Sequence, residues 1–184
     1  FIIAKRKFRE NAIILEVFTS KYGKVNGIVY GGNSRKIRNY LQLINKIFIS
    51  YNSKGENRIG YFKTELINAI SPEYFDNKNK ILCINSLSSI LKAVLPENLS
   101  SEKIYKSLEN LLKSLKNNDW LTNYLVWEIN LINYLGFGFN IDNKNISDKN
   151  YKKIYDIKLN NINYKIPGFL VFKNYSNPDN NDIY

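Results

Sequence analysis

Hydrophobic positions change their spacing along this chain. Before Pro72 they fall in short runs at strand spacing, beyond it they recur at helical spacing, and after Phe139 they thin out among Asn, Asp and Lys. Phe1 to Phe8 reads as an entry strand that turns basic at Lys5, Arg6 and Lys7, and Arg9-Glu10-Asn11 reads as a turn. Ala12 to Thr19 is rich in β-branched and aromatic residues, the composition of a buried strand. Ser20-Lys21-Tyr22-Gly23 turns into a third strand, Lys24 to Tyr30, which alternates from Val25. Gly31-Gly32 breaks that strand into a basic loop. Leu43 to Tyr51 gives a fourth strand, Asn52-Ser53-Lys54-Gly55 a turn, and Arg58 to Leu66 a fifth strand. Five short strands with one longer insertion predict a small closed barrel. An OB-fold is the economical choice, because closure abolishes sheet edges and the fold carries a nucleic-acid face.

The pattern changes near Ser71-Pro72. Lys80 to Leu95 carries Ile84, Leu87, Leu91, Val94 and Leu95 in a helical stripe stopped by Pro96. Ser100 or Ser101 can cap the next helix, with Glu102 in its first turn and a stripe of Ile104, Leu108, Leu111, Leu112 and Leu115. Asp119 is the expected cap of a third helix, Trp120 to Leu135, which is apolar nearly all round and so reads as central; Gly136 ends it. Three helices packed as a bundle are expected. Ile154 to Leu159 and Ile162 to Ile166 suit a hairpin across Asn160-Asn161, a last apolar patch runs from Phe169 to Phe172, and the tail from Asn174 is expected to fray. The expected class is therefore α+β: an OB-fold domain over 1–70, then a helical domain with an irregular tail over 71–184.

Length and composition fit this division. The 184 residues suit one domain or two small ones, and 44% hydrophobic residues suffice for a packed core. Lys and Arg number 27 against 16 acids, a net charge of +11, which points to a polyanionic partner, nucleic acid first. Asn, Lys and Ile are abundant throughout, as in an AT-rich genome, so clustering of charge says more than its total. The chain begins at Phe1 and contains no Met, so the true N-terminus is expected to be missing. It has no apolar run of about 18 residues, so no membrane span is expected. One cysteine, Cys83, and no histidine exclude a disulfide within the chain and a Cys/His zinc site, and suit a reduced, cytoplasmic setting.

Charge does cluster. Lys5, Arg6, Lys7, Arg9, Lys21, Lys24, Arg35, Lys36 and Arg38 all lie in the barrel half, where only Glu10 and Glu16 oppose them before residue 50. With Tyr40 they form the candidate nucleic-acid site: cations for phosphates, and paired glycines at 31–32 that let a polyanion approach the main chain. A solvated basic surface is the plainer reading. Tyr22, Tyr30, Tyr40, Phe48 and Tyr61 are candidates for base stacking, against a core role for each. Elsewhere the structural readings prevail. Gly136-Phe137-Gly138 lacks the third glycine of a dinucleotide turn and follows a helix, so it reads as a cap and chain reversal. Glu128 reads as a buried carboxylate paired with a base, and Cys83 as a small core residue. The remaining acids are scattered.

Three segments resemble RecO, the bacterial recombination mediator and DNA-annealing family. They are Glu10 to Leu15 through Phe18-Thr19 and Gly23-Lys24; then Gly31-Gly32-Asn33-Ser34-Arg35-Lys36-Ile37-Arg38 with Leu41-Gln42, similar to the α-proteobacterial version; then Trp127-Glu128 through Leu135-Gly136-Phe137-Gly138-Phe139. The resemblance implies a non-enzymatic protein that binds single- and double-stranded DNA, anneals complementary strands and acts in the cytoplasm at the nucleoid. It implies partners too: the C-terminal tail of single-stranded DNA-binding protein received in an apolar groove, RecR, and RecA indirectly. Many relatives carry zinc-binding cysteines after the Gly-aromatic-Gly. Lys144 and Ser147 stand where the first pair would be, so the tail resembles a degenerate zinc finger, and neither metal nor cofactor is expected. Two other classes remain beside this one: an OB-fold RNA-binding module, and a metal-dependent phosphoryl-transfer enzyme, which would need clustered carboxylates. A pure interaction scaffold is the last alternative.

Overall fold

In the computed structural model the described residues are 1–53, 55, 59–136, 154–159 and 162–167. The chain divides into two compact units, Phe1–Tyr105 and Lys106–Tyr184. Within the first, β1 (Ile2–Arg9), β2 (Ala12–Thr19), β3 (Gly23–Tyr30), β4 (Lys46–Asn52) and β5 (Tyr61–Asn68) form one sheet in the order β1-β2-β3-β5-β4. Neighbours are antiparallel except β3 and β5, which meet in parallel at a single pair, Ile28 with Tyr61. Period-two alternation places Ile13, Leu15 and Val17 of β2 on the inner face, where they pack with Ile2, Val29, Ile47 and Phe62. Gly27 lies in this face because a Cβ there would stand 2.6 Å from the Phe62 ring.

The sheet is not the closed barrel that the strand count predicts. Its ends are joined by two main-chain hydrogen bonds, Ile2 N–H to Asn45 O (3.2 Å) and Ile44 N–H to Ile2 O (2.7 Å), without a β1–β4 ladder. The cause is local. Ile44 adopts a left-handed φ of 64°, uncommon for a β-branched residue, so β4 begins at Lys46 and not at Leu43. A register shift between Ile2 and Ala4 bends the facing end of β1. Asn45, fully buried, secures the joint. Its Oδ1 accepts from the N–H groups of Ile70 (2.8 Å) and Ser71 (3.0 Å), and its Nδ2 donates to Tyr40 O (2.9 Å).

The basic loop contains a short helix, α1 (Arg35–Tyr40), whose Ile37 and Tyr40 pack on the inner core. Six residues are too few to announce helical periodicity. After a 3₁₀ turn at Ser71–Tyr74, α2 (Lys78–Val94) starts with the Asn77 side chain accepting from Lys80 N–H (3.0 Å). It packs on β1 and the 3₁₀ turn and buries Cys83, Ile84, Leu87 and Leu91. α3 (Glu102–Ser114) is capped by Ser101, whose hydroxyl accepts from Ile104 N–H (3.4 Å), and buries the stripe read from the sequence.

In the second unit α4 (Trp120–Tyr134) buries a narrower face than its composition predicts: Thr122, Tyr124, Trp127 and Leu131. Trp127 Nε1–H donates to Ser107 Oγ (3.2 Å), and its ring stacks on Tyr124 with centroids 6.5 Å apart. Asp119 holds the N-cap position, yet with φ −88° and ψ 17° it makes no side-chain cap bond. Glu128 is half-buried where a buried carboxylate is expected. Gly136 ends the helix at φ 87°. Of the three helices expected to form one bundle, α2 belongs to the first unit and α4 to the second. β6 (Ile154–Leu159) and β7 (Ile162–Pro167) form the expected antiparallel hairpin. Phe137-Gly138-Phe139, Lys144, Ser147, the Phe169–Phe172 patch and the tail from Asn174 lie outside the described residues.

Candidate nucleic-acid interface

Strand register decides which cations can act together. The β1–β2 turn and the end of β3 lie at one end of the sheet, where Arg9, Ala12 and Tyr30 form one cross-strand row. The β2–β3 turn lies at the other, eight residues of β2 away, or about 23 Å at the usual strand rise. Lys5, Arg6, Lys7 and Arg9 approach the first end, and α1 brings Arg35, Lys36 and Arg38 there. Two hydrogen bonds tie the loop before α1 to the β1–β2 turn: Gly31 N–H to Asn11 O (2.6 Å) and Asn33 Nδ2–H to Glu10 O (2.7 Å). Lys21 and Lys24 sit at the opposite end.

Within the arginine end, β1 splits its charges between two faces. Lys5 pairs with Leu15 and Lys7 with Ile13, on the inner side of the sheet. Lys5 Nζ donates to Leu41 O (2.7 Å) and to Gln42 Oε1 (3.4 Å), and Gln42 Nε2–H donates to Arg38 O (3.1 Å), which couples β1 to α1. Partial burial, and then the Arg38 guanidinium, lower the pKa of the Lys5 ammonium below its ordinary value. Two cations that disfavour each other's charge, with no acid paired to either among the described residues, suit a bound anion. On the outer side Arg6 begins the row Arg6–Ile14–Ile28–Tyr61, next to the row Arg9–Ala12–Tyr30. The Tyr30 and Tyr61 rings stand 6.2 Å apart, and the Arg9 guanidinium lies 5.2 Å over Phe8.

The nine cations therefore do not form one face. Seven share one end of the sheet on both of its sides, and two lie at the far end. There Lys21 Nζ sits 5.1 Å over the Tyr22 ring, and Lys24 Nζ donates to Lys92 O (2.9 Å) of α2. Tyr40 is half-buried in the inner core, and its hydroxyl donates to Thr64 O at 2.9 Å, so it seats α1. Gly31 carries a left-handed φ of 69°, and a Cβ on Gly32 would stand 2.6 Å from Ile13 Cγ1. The paired glycines thus serve the turn and close packing. Tyr22, Tyr30 and Phe48 expose 58%, 49% and 57% of their surface, enough to stack a base, whereas Tyr61 is half-buried. The sequence reading missed Asn45 and Asn33, two side chains that hold the arginine end in place. An Asn inside the apolar run Leu43-Ile44-Asn45-Lys46-Ile47 is the signal that marks the first.

Residues 1–70 match the family profile described as Recombination protein O N terminal, and residues 77–180 match Recombination protein O C terminal. The chain belongs to the RecO family. Among its relatives is the DNA repair protein RecO of Ehrlichia chaffeensis, 32% identical over 151 residues that make up 81% of this chain and 61% of that protein. The DNA repair protein RecO of Wolbachia pipientis from Culex pipiens is 33% identical over 138 residues, 74% of this chain and 56% of the relative. That of Rickettsia canadensis is 28% identical over 147 residues, 80% and 61% respectively. This RecO-family chain thus spans about three fifths of the length of the curated relatives it matches. Among the described residues no cluster of His, Cys, Asp and Glu could hold a metal ion, and no helix is long and apolar enough to cross a membrane.

Proposed function

We propose that this RecO-family chain is a non-enzymatic mediator of DNA repair and homologous recombination that binds single- and double-stranded DNA and anneals complementary strands. One observation carries the reading: seven cations from β1 and α1 gather at one end of the sheet, on a turn and helix fastened together by main-chain and side-chain hydrogen bonds. Phosphates neutralised there repel a second strand less, so two strands can meet without ATP. Contacts to phosphate carry no sequence preference, as annealing of arbitrary sequences requires. Family membership supports the wider role: the domain over 1–70 holds DNA, while the region over 71–184 meets the tail of single-stranded DNA-binding protein. RecR joins the complex, and RecA is loaded as a result, in the bacterial cytoplasm at the nucleoid.

The test is charge reversal of Arg35, Lys36 and Arg38 together. Affinity for single strands and duplex should fall at least about a hundredfold at low salt. The slope of log K against log salt on single strands should become shallower by about 2, at ~0.7 for each of three phosphates that these side chains no longer neutralise. Unchanged affinity and slope would remove α1 from the site. An RNA oligonucleotide bound more tightly than DNA under one salt condition would favour the RNA-binding reading.

A further inference from the structure

β3 and β5 pair only at Ile28 with Tyr61 and part below that point, which opens a cleft of about 960 Å³ between β3 and the β4–β5 pair. Its size is at the upper end of the ~300–1,000 Å³ usual for ligand clefts. Val25, Ile49 and Phe62 give it an apolar lining. Tyr22, Phe48 and Tyr51 line it as well, each more than half exposed. Lys21, Lys24 and Lys46 contribute positive charge, and the one acid among its described lining residues, Glu97, accepts a hydrogen bond from Asn26 Nδ2–H (3.1 Å).

We propose that this cleft holds unpaired bases of a single strand, as a second nucleic-acid site separate from the arginine end. Exposed rings beside cations offer faces to bases and charge to the connecting phosphates, a combination that tracks single strands with little sequence preference. A duplex cannot use it, because its bases already stack on one another. An added peptide strand suits the cleft poorly. On the open edge of β3, Ile28 N–H is bonded to Gly60 O (2.9 Å) and Lys24 O accepts from Asn98 N–H (2.9 Å), which leaves only Asn26 between them. The arginine end takes either form of DNA through phosphates, so the two sites together let one chain hold a single strand beside a second strand. The inference rests on the nucleic-acid reading above but on different residues.

The test compares a short thymidine oligonucleotide, an abasic oligonucleotide of equal length and a duplex, all under one salt condition, with the full chain. The parent should bind the thymidine strand more tightly than the abasic strand. Tyr22→Ala with Phe48→Ala should lose that preference, by about tenfold for each ring removed, and keep duplex affinity. Both side chains are exposed, so the fold should persist; if a thermal melt shows otherwise, Phe48→Leu, which keeps bulk without an aromatic face, takes their place. A parent that binds thymidine and abasic strands equally overturns the proposal, as does a variant that keeps the preference. Loss of base preference with duplex binding unaffected by reversal of Arg35, Lys36 and Arg38 would uphold the cleft and refute the arginine end. The converse pattern would do the opposite.

Discussion

The two ends of the sheet carry positive charge in different ways. At the arginine end seven cations stand on β1 and a short helix, over a scaffold held from beneath by Asn33, Gln42 and Asn45. At the cleft end Lys21 already faces the Tyr22 ring and Lys24 reaches Lys92 O, while the rings are the groups left open. The contrast separates two kinds of affinity. Phosphate binding depends on cations with donors to spare and weakens with salt, whereas base stacking depends on exposed ring faces and is tied less closely to salt. A count of lysines and arginines along the chain merges the two.

The comparison breaks most severely through Asn45, because it ties the end of α1 to the joint between β1 and the start of β4. Asn45→Ala would strand the buried N–H groups of Ile70 and Ser71 and leave Tyr40 O, at the end of α1, without its donor. Each stranded group costs about 1–3 kcal/mol, so the variant should lose roughly 3–5 kcal/mol of unfolding free energy in a urea titration. DNA bound by the arginine end should weaken at temperatures where the sheet still persists. A loss below about 1 kcal/mol would mean that water replaces the missing amide, and that the joint between β1 and the start of β4 does not depend on it.

Much of this division is present in the sequence once register is considered. The Ala12–Thr19 run fixes β2 to the residue, since its dense β-branched and aromatic residues mark a strand buried on both faces. Two turns bounding an eight-residue strand then force Arg9 and Lys21 to opposite ends. Alternation along β1 likewise forces Lys5 and Lys7 away from Arg6, whereas Arg9 joins the side of Arg6 only through the register shift after Lys7. Three features were not legible. The left-handed turn at Ile44 has no glycine to mark it, because buried packing and not local preference holds it. The six-residue α1 is stabilised by Ile37 and Tyr40 on the core, a tertiary effect that propensity does not register. The parting of β3 from β5 follows from pairing at one residue only, which no pattern within either strand encodes.

A smaller effect sharpens the role of the aromatic residue at the end of α1. Tyr40 packs against the inner core, and its hydroxyl bonds to Thr64. Tyr40→Phe removes that bond and keeps the ring. It should cost about 1 kcal/mol of stability and leave affinity for single strands and duplex unchanged. Tyr40→Ala should destabilise by several times as much through the cavity it leaves in the core. Should Tyr40→Ala instead lower single-strand affinity while its melting temperature stays near the parent's, the ring would be stacking a base after all.

The finest distinction lies in the protonation of Lys5. Partial burial and the neighbouring Arg38 both disfavour its ammonium, so its pKa in the folded chain lies below that in the unfolded chain. Between those two values the unfolded chain binds more protons, and stability must rise with pH; below the folded value the penalty is constant, and above the unfolded value it is gone. Every other group is shared with Lys5→Met and cancels in the difference. The parent should therefore gain stability relative to Lys5→Met as pH rises toward the ordinary lysine value, when unfolding midpoints of the two are followed together. A phosphate seated between Lys5 and Arg38 would restore the preference for the charged form and remove that relative gain. Equal pH profiles without DNA would show that Lys5 is not desolvated, and a gain that survives saturating duplex would place the phosphates elsewhere on the arginine end.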